Sequence, residues 1–265
     1  MAAAVTRHRR SQRERWLKPV LRLSILVGLL VGWQLIGNDR IRLAMPSFTR
    51  TMAALGDLVA DGSLLQGMLI TNQALVGGYL LALIVSLPLG IMMGSSRFVS
   101  NLSVPYLTIL LAVPMIALVP IVQLVFGFTL TARIVVVFLF AFIYMTFNTM
   151  VGVRTVDPSL REMARSYGAS RPQMLRLITL PAAVPSIMAG IRLGLGRAII
   201  GMVIAELSLI GAGIGSLILE FQVRFQPAYV FAIVLVAVLE GVLLMEIARR
   251  IETRLVSRRG GSSVG

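Results

Sequence analysis

The sequence contains no cysteine, a single histidine and a single lysine, and these absences exclude several kinds of chemistry. Without cysteine, the chain can form no disulfide, thiol nucleophile or thiolate metal site. His8 lies in a basic stretch near the N-terminal end, which argues against a Ser-His or Cys-His catalytic pair. No GxxxxGK pattern surrounds Lys18, so the chain has no Walker A loop to hold ATP phosphates. We therefore predict that the chain is not an enzyme and has no cofactor, catalytic or metal site.

Apolar residues, in contrast, dominate the chain. They make up 57% of it, and the mean hydropathy is +0.88, well above that of a soluble domain. A helix needs about 20 mostly apolar residues to cross a bilayer. Six runs meet this requirement: Val20–Gly37, Ala74–Gly94, Leu102–Gly127, Ile134–Val153, Ser186–Ile210 and Ala228–Ala248. The sequence therefore predicts an all-α membrane protein, with one domain of about six transmembrane helices over residues 20–252.

The formal net charge is +14, and its distribution along the chain indicates an orientation. Arginines cluster in residues 1–19, in the segment 161–176 and near the C-terminal end, next to apolar runs. The positive-inside rule places such segments on the cytoplasmic side. We therefore expect both termini to be cytoplasmic, with tails at 1–19 and 253–265, the second disordered. The same charge could suit nucleic acid, but spans closely flank the 161–176 segment, so we expect no nucleic-acid partner.

The polar segment between the fourth and fifth runs predicts a pair of short helices. Asp157 can cap the first helix and Pro158 can begin it. Gly168 can adopt the left-handed conformation that ends it. A second helix can start at Ser170 and must end before Pro181. Helical spacing places four apolar residues on one face of the first helix: Leu160, Met163, Ala164 and Tyr167.

Six positions in this segment resemble the EAA loop of bacterial ABC-importer permeases: Glu162, Ala164, Gly168, Ile178, Leu180 and Pro181. Further landmarks resemble the nitrate/sulfonate/taurine branch of that family: residues 148–158, Gly190 to Arg192, Ala205, Glu206 and Gly211 to Gly215. The likeness covers residues 46–252. Met163 departs from the family, which usually has alanine there, and Gln73 lies near a place where relatives often carry arginine.

The resemblance implies a type I ABC-importer permease fold in a bacterial inner membrane. It also implies four partners: an ATP-binding-cassette ATPase subunit, an extracytoplasmic solute-binding protein, a second permease copy, giving a homodimer, and the lipid bilayer. The segment 154–181 would dock on the ATPase through these residues: Leu160, Glu162, Met163, Ala164, Tyr167, Gly168, Ala169, Leu180 and Pro181. The implied substrate is a small anion such as a sulfonate or nitrate, or a vitamin precursor. The alternative is a stand-alone secondary transporter or channel, although we see no inverted repeat.

Prolines interrupt the second and third apolar runs. The stretch 112–120 contains Pro114, Met115 and Pro120, and proline removes a backbone donor and bends a helix. It could be a broken helix that lines a cavity, as in transporters, or a bend that only shapes packing. The pairs Gly28/Gly32, Gly90/Gly94 and Gly190/Gly194 have the spacing that lets helices approach closely.

Charged side chains inside apolar runs are costly when they face lipid, so each is expected to face protein or water. These residues are Arg192, Arg197, Glu206 and Glu240. Arg192, Arg197 and Glu240 lie at comparable depth, which permits an ion pair between Glu240 and one of the arginines. This pair could lie beside the pathway or be purely structural. Arg192 could instead reach the lipid headgroups. Glu206 could belong to an outer gate or cap the following turn. Asn148 could hydrogen-bond between helices or line the pathway.

Overall fold

The computed structural model describes residues 21, 23–37, 45–208 and 212–260, with side chains up to residue 254. Every regular element in these ranges is helical. The eleven α-helices are α1 (Leu23–Ile36), α2 (Phe48–Ala60), α3 (Ser63–Ser95), α4 (Arg97–Ala112), α5 (Val119–Phe126), α6 (Leu130–Arg154), α7 (Pro158–Ser166), α8 (Arg171–Met174), α9 (Leu180–Ser208), α10 (Ile214–Val223) and α11 (Pro227–Gly260). A 3₁₀ turn, Met115–Leu118, precedes α5, and a π-helical turn, Leu175–Thr179, precedes α9.

Helix α6 is the centre of the fold and packs between α3 and α9. The core of this three-helix layer combines alanines with medium-sized apolar side chains: Leu75, Ala82, Val137, Ala141, Met145, Ala198 and Met202. Helices in lipid gain little from burying apolar surface, so they associate through close backbone approach and dense packing. The small residues along these helices permit that approach. The expected all-helical architecture is confirmed.

The two glycine pairs inside this layer lie at helix contacts. A Cβ atom added to Gly94 of α3 would lie 2.5 Å from the Cβ of Val153. One added to Gly190 of α9 would lie 2.8 Å from the Cβ of Asn148. Both glycine pairs therefore serve close helix packing, one where α3 meets α6 and the other where α9 meets α6. In α1, Gly32 has no neighbour within 4 Å of its own added Cβ.

We expect Gly94→Ala to destabilise the protein, because the new methyl group meets Val153 and the carbonyl oxygen of Met150 at 2.8 Å. Overpacking of this kind costs about 1–3 kcal/mol of the free energy of unfolding. The matched control is Gly32→Ala, which adds the same methyl group to an apolar helix without a neighbour. Thermal unfolding of the detergent-purified protein, followed by circular dichroism, should show a lower midpoint for Gly94→Ala alone. Equal midpoints would contradict the close packing of α3 on α6.

The described residues contain four helices long and apolar enough to cross a membrane: Ser63–Ser95, Leu130–Arg154, Arg171–Ser208 and Pro227–Arg254. A bent pair of helices, Arg97–Ala112 with Met115–Phe126, makes a fifth if it is counted as one span. The first predicted span corresponds to α1, which is apolar but shorter than the others, and Val20 lies outside the described residues. The expected sixth span therefore stays a prediction.

The third apolar run is broken at Pro114. Its two halves meet at an angle of 94°, and Val113 has the extended conformation (φ −73°, ψ 128°) that a following proline favours. The run 102–127 is therefore two helices and a 3₁₀ turn, as expected for a broken helix and unlike a mild packing bend. Pro88 and Pro105, in contrast, remain inside α3 and α4.

The prediction that the second short helix ends before Pro181 is wrong. The chain continues from α8 through the π-helical turn into α9, so one helical segment extends from Arg171 to Ser208. A proline lacks the N–H that would bond four residues back, and a π-helical turn changes the hydrogen-bond register. Here the change of register directly precedes Pro181, so the helix passes this residue.

At the other end of the chain, α11 continues to Gly260, into the segment expected to be a disordered tail. Residues 261–265 and the N-terminal tail 1–19 lie outside the described residues.

Candidate functional site

Helix α7 begins as the sequence predicted. Asp157 precedes it, Pro158 is its first residue, and an Asp157 side-chain oxygen accepts a hydrogen bond of 2.9 Å from the backbone N–H of Ser159. This bond holds the pKa of Asp157 below its ordinary value, because it stabilises the charged carboxylate. The cap therefore contributes fully above the ordinary aspartate pKa, and its contribution is lost as the pH falls through the lower folded-state pKa.

Helix α7 ends in a Schellman motif at Gly168. The backbone N–H of Gly168 bonds to the carbonyl oxygen of Arg165 at 2.9 Å, and that of Ala169 bonds to Ala164 at 3.0 Å. Gly168 has a φ of +76°, a conformation that residues with a Cβ adopt only at a cost. Ser170 then starts α8, and its N–H donates to the Gln173 side chain at 2.8 Å. The turn between the two helices is thus closed by local bonds.

The apolar face of α7 is divided between the protein interior and the surface. Ala164 is buried, whereas Met163 is half exposed and Tyr167 is 87% exposed. Glu162 is also exposed, and its carboxylate forms no ion pair among the described residues. Arg161 ties α7 to the end of α6, since its Nη2 donates to the carbonyl oxygen of Val153 at 2.8 Å. One side of α7 is thus bonded to the end of α6, and the other side is exposed.

The remaining coupling candidates lie on both sides of this helix pair. Leu160 is partly exposed, and Ala169 is half buried. Leu180 packs against Val153 and Ala183 at the start of α9, whereas Pro181 is exposed. Leu180 therefore connects the helix pair to the long helix that follows it.

A second feature is a cavity of about 390 Å³ beside the break in the third run. Pro114 and Met115 line it, together with Tyr144 of α6 and Arg197 of α9. The guanidinium carbon of Arg197 lies 4.1 Å from the ring centroid of Tyr144, a cation–π contact. Two adjacent candidates, Pro114 and Met115, are thus brought together with Arg197, which is far from them in sequence. Pro120 does not line this cavity.

Asn148 lies one helical turn beyond Tyr144, and its side chain bonds within α6. Its Nδ2 donates to the carbonyl oxygen of Tyr144 at 2.7 Å. Among the described residues Asn148 makes no side-chain hydrogen bond to another helix, which was one of its two predicted roles.

Glu206 is almost completely buried and holds α3, α9 and α10 together. Its carboxylate accepts a 2.6 Å hydrogen bond from the hydroxyl of Thr71 and a 2.9 Å bond from the N–H of Gly215. The Thr71 hydroxyl accepts in turn from the N–H of Ile214 at 3.0 Å. Gly213 has a φ of +94°, and a side chain there would collide with the carboxylate. These contacts agree with the second of the two predicted roles of Glu206, a cap of the turn that follows α9.

The predicted pair between Glu240 and Arg192 or Arg197 is wrong. Arg192 forms a 2.5 Å ion pair with Glu252, and Glu240 accepts a 2.5 Å hydrogen bond from the side chain of Asn72. The prediction used only the depth of these residues in the membrane. The side chains also point in different directions from their helix axes, so each one meets a different neighbour. Arg192 is therefore neutralised near the end of α11.

Sequence reasoning missed the polar partners of the buried glutamates. Thr71 and Asn72 were left outside the second span, which was expected to begin at Ala74, whereas α3 begins at Ser63. Neighbouring residues point about 100° apart on a helix, so Thr71 faces Glu206 while Asn72 faces Glu240. A polar Thr-Asn-Gln triplet next to an apolar run, in a chain with two intramembrane glutamates, was the available signal. No comparable pattern in the sequence identified Tyr144 as the neighbour of Arg197 or Glu252 as the partner of Arg192.

The fold matches a solved ABC transporter. A chain of the MetNI methionine ABC transporter, described as inward facing, superposes with a TM-score of 0.59 and covers 74% of this chain and 95% of that one. The two sequences are 19% identical, so this likeness shows the fold.

Curated relatives match over nearly the whole chain. The putative aliphatic sulfonates transport permease protein SsuC of Bacillus subtilis is 32% identical, over 97% of this chain and 93% of the relative. The riboflavin transport system permease protein RibX of Chloroflexus aurantiacus is 33% identical, over 94% of each chain. The taurine transport system permease protein TauC of Escherichia coli is 28% identical, over 82% of this chain and 84% of the relative.

The family profile described as "Binding-protein-dependent transport system inner membrane component" matches residues 86–257. This range begins inside α3 and includes the broken helix, the α7–α8 pair and most of α11. The expected relationship to the nitrate/sulfonate/taurine branch is confirmed by these relatives together. The chain therefore belongs to the family of inner-membrane components of binding-protein-dependent ABC transport systems.

Proposed function

We propose that this protein is the permease of an ABC importer for a small organic anion of the sulfonate type. Two copies would enclose the pathway, an extracytoplasmic binding protein would deliver the solute, and both termini and the α7–α8 pair would face the cytoplasm. The membership of the family carries this proposal. The names of the sulfonate and taurine permeases support the substrate class. A stand-alone secondary transporter or channel is disfavoured because members of this family work with a binding protein.

The α7–α8 pair is proposed as the part that receives force from a separate ATPase subunit. Rigid transmission requires a joint that does not bend, and the Schellman turn at Gly168 with the Asp157 cap provides one. Exposed Tyr167, Met163 and Glu162 would contact the ATPase. Because α8 continues into α9, displacement of the pair would move the helix that carries Arg197 and Glu206. Closure of the ATPase subunits would thus change access to the pathway.

Arg197 is the proposed contact for the anion. Among the described residues no carboxylate pairs with Arg197, which rests on the ring of Tyr144 beside a cavity of about 390 Å³. Arg192 has its charge balanced by Glu252. A guanidinium that is partly removed from water and has no acidic partner binds a sulfonate well, because the charge-assisted hydrogen bonds are strong. Arg197 is therefore better placed than Arg192 to select an anion.

We expect Arg197→Gln to weaken uptake of the anion by about tenfold or more, because a hydrogen bond to a charged group contributes roughly 1.5–3 kcal/mol. Arg197→Lys should retain part of the uptake. The measurement is uptake of radiolabelled alkanesulfonate into proteoliposomes that contain the permease, its ATPase and its binding protein. The control is Arg250→Gln, the same loss of charge at a residue paired with Glu246 on exposed α11. If Arg197→Gln and Arg250→Gln transport equally well, Arg197 does not contact the substrate.

A further inference from the structure

A cavity of about 700 Å³ lies where the ends of α3 and α6 meet the start of α4 and the α7–α8 pair. Four arginines line it and no acidic residue does: Arg97, Arg161, Arg165 and Arg171. Among the described residues none of the four forms an ion pair. Like charges that line one cavity repel each other, and an anion between them would relieve that repulsion. The composition of the cavity thus calls for a negatively charged occupant.

Arg161 gives this cavity a fixed donor. Its Nη2 is held by the carbonyl oxygens of Val153 and Arg154, at 2.8 and 3.3 Å, so the guanidinium cannot turn away. Its Nε is buried and lacks a hydrogen-bond partner among the described residues. A buried donor without an acceptor costs about 1–3 kcal/mol, so the protein by itself does not satisfy this guanidinium.

The position of the cavity matches the depth of lipid headgroups. Gly94 and Val153, which line it, are next to the last residues of the two membrane-length helices α3 and α6. Phe98 and Leu102, one turn apart on α4 directly after Arg97, are 79% and 59% exposed. An occupant could therefore place a charged group among the arginines and an apolar chain along α4.

An acidic surface of the ATPase is the competing occupant, but the geometry of α7 disfavours it. At 3.6 residues per turn, Arg161 and Arg165 lie about 160° around the helix from Met163. The arginine side of α7 is thus opposite Met163, and Glu162 lies at its edge, about 60° from Arg165. The arginine side faces α4 and the ends of the spans instead.

We propose that this cavity binds the phosphate of an anionic phospholipid in the cytoplasmic leaflet. This inference rests on the cytoplasmic orientation in the proposed function, and it adds a site for a lipid beside the coupling helix. Basic pockets near the cytoplasmic ends of spans bind such headgroups in membrane proteins. A lipid bound here would join α4 to the α7–α8 pair, so the composition of the membrane would affect the rigidity of the pair.

The test is native mass spectrometry of the full-length permease, without ATPase, exchanged from vesicles of phosphatidylglycerol and phosphatidylcholine into detergent. We expect the purified protein to retain phosphatidylglycerol in preference to phosphatidylcholine. Arg97→Gln should weaken retention about fivefold, and Arg97→Gln with Arg165→Gln should weaken it further, since a basic residue near an anionic surface contributes about that factor. Arg97→Lys, which keeps the charge, should retain most of the lipid. The control is Arg176→Gln, an exposed arginine of the same segment that does not line the cavity.

Four outcomes would overturn the proposal. Equal retention of both lipids, or equal loss in Arg176→Gln and Arg97→Gln, would show a diffuse attraction without a site. Displacement of phosphatidylglycerol by inorganic phosphate at equal concentration would identify a site for a free anion. Unchanged lipid retention in the Arg97→Gln/Arg165→Gln variant, with weaker binding of the ATPase, would assign the arginines to the protein partner. The experiment measures the lipid retained by the permease alone. A negative result would therefore contradict the lipid site without contradicting the proposed transport function.

Discussion

Gly168→Pro is expected to abolish uptake while the protein still inserts into the membrane. Proline fixes φ near −65°, whereas residue 168 has a φ of +76° and uses its N–H to bond Arg165. The Schellman turn therefore cannot form, and the α7–α8 pair loses its fixed angle. In proteoliposomes with the ATPase and the binding protein, ATP hydrolysis should no longer respond to loaded binding protein, and uptake should fall to background.

Two further variants separate the backbone effect from the contact with the ATPase. Gly168→Ala keeps the N–H and meets no neighbour within 4 Å, so it carries only the left-handed penalty of about 1–2 kcal/mol and should reduce uptake partially. Gly56→Ala, equally free of neighbours but inside α2, is its control and should transport normally. Glu162→Lys leaves the turn intact and reverses a charge on the exposed side; it should also uncouple hydrolysis from uptake. Normal uptake by Gly168→Pro and Glu162→Lys would refute the docking role.

Glu206→Ala should produce the largest loss of stability among these variants. It removes the acceptor for the Thr71 hydroxyl and for the N–H of Gly215 in a site that is almost inaccessible to water. Each buried donor left without a partner costs about 1–3 kcal/mol. We expect a clearly lower thermal midpoint in detergent and faster proteolysis of the segment that connects α9 to α10.

The matched control for Glu206→Ala is Glu220→Ala on α10. Glu220 pairs with Arg224 at the surface, and exposed ion pairs contribute about 0–1 kcal/mol. Thr71→Val tests the same cluster from α3, because it preserves side-chain volume while removing both hydrogen bonds of the hydroxyl. If Glu206→Ala unfolds at the same temperature as Glu220→Ala, the cluster does not hold α10 in place.

The sequence by itself determined the class of the protein and the local shape of the segment that contains α7 and α8. Caps and turns depend on residues within a few positions of each other. Asp157 with Pro158 and Gly168 therefore predicted both ends of α7, and the structure contains both. The proline after Val113 indicated an interruption of the third run for the same reason but left a broken helix and a packing bend as alternatives, and the structure contains the break. The six positions that resemble the EAA loop indicated the family, which the family profile confirmed.

Only the tertiary structure decided which buried polar groups meet. Spacing along a helix fixes the depth of a residue, but its partner also depends on rotation about the axis and on which helix lies alongside. Arg192 could therefore be placed at a depth but not assigned to Glu252, and Glu240 was not assigned to Asn72. Hydropathy began the second span only after Thr71 and Asn72, at Ala74, because it counts both residues as polar. In the folded chain, two glutamates from other helices satisfy their hydrogen bonds, so α3 continues through them.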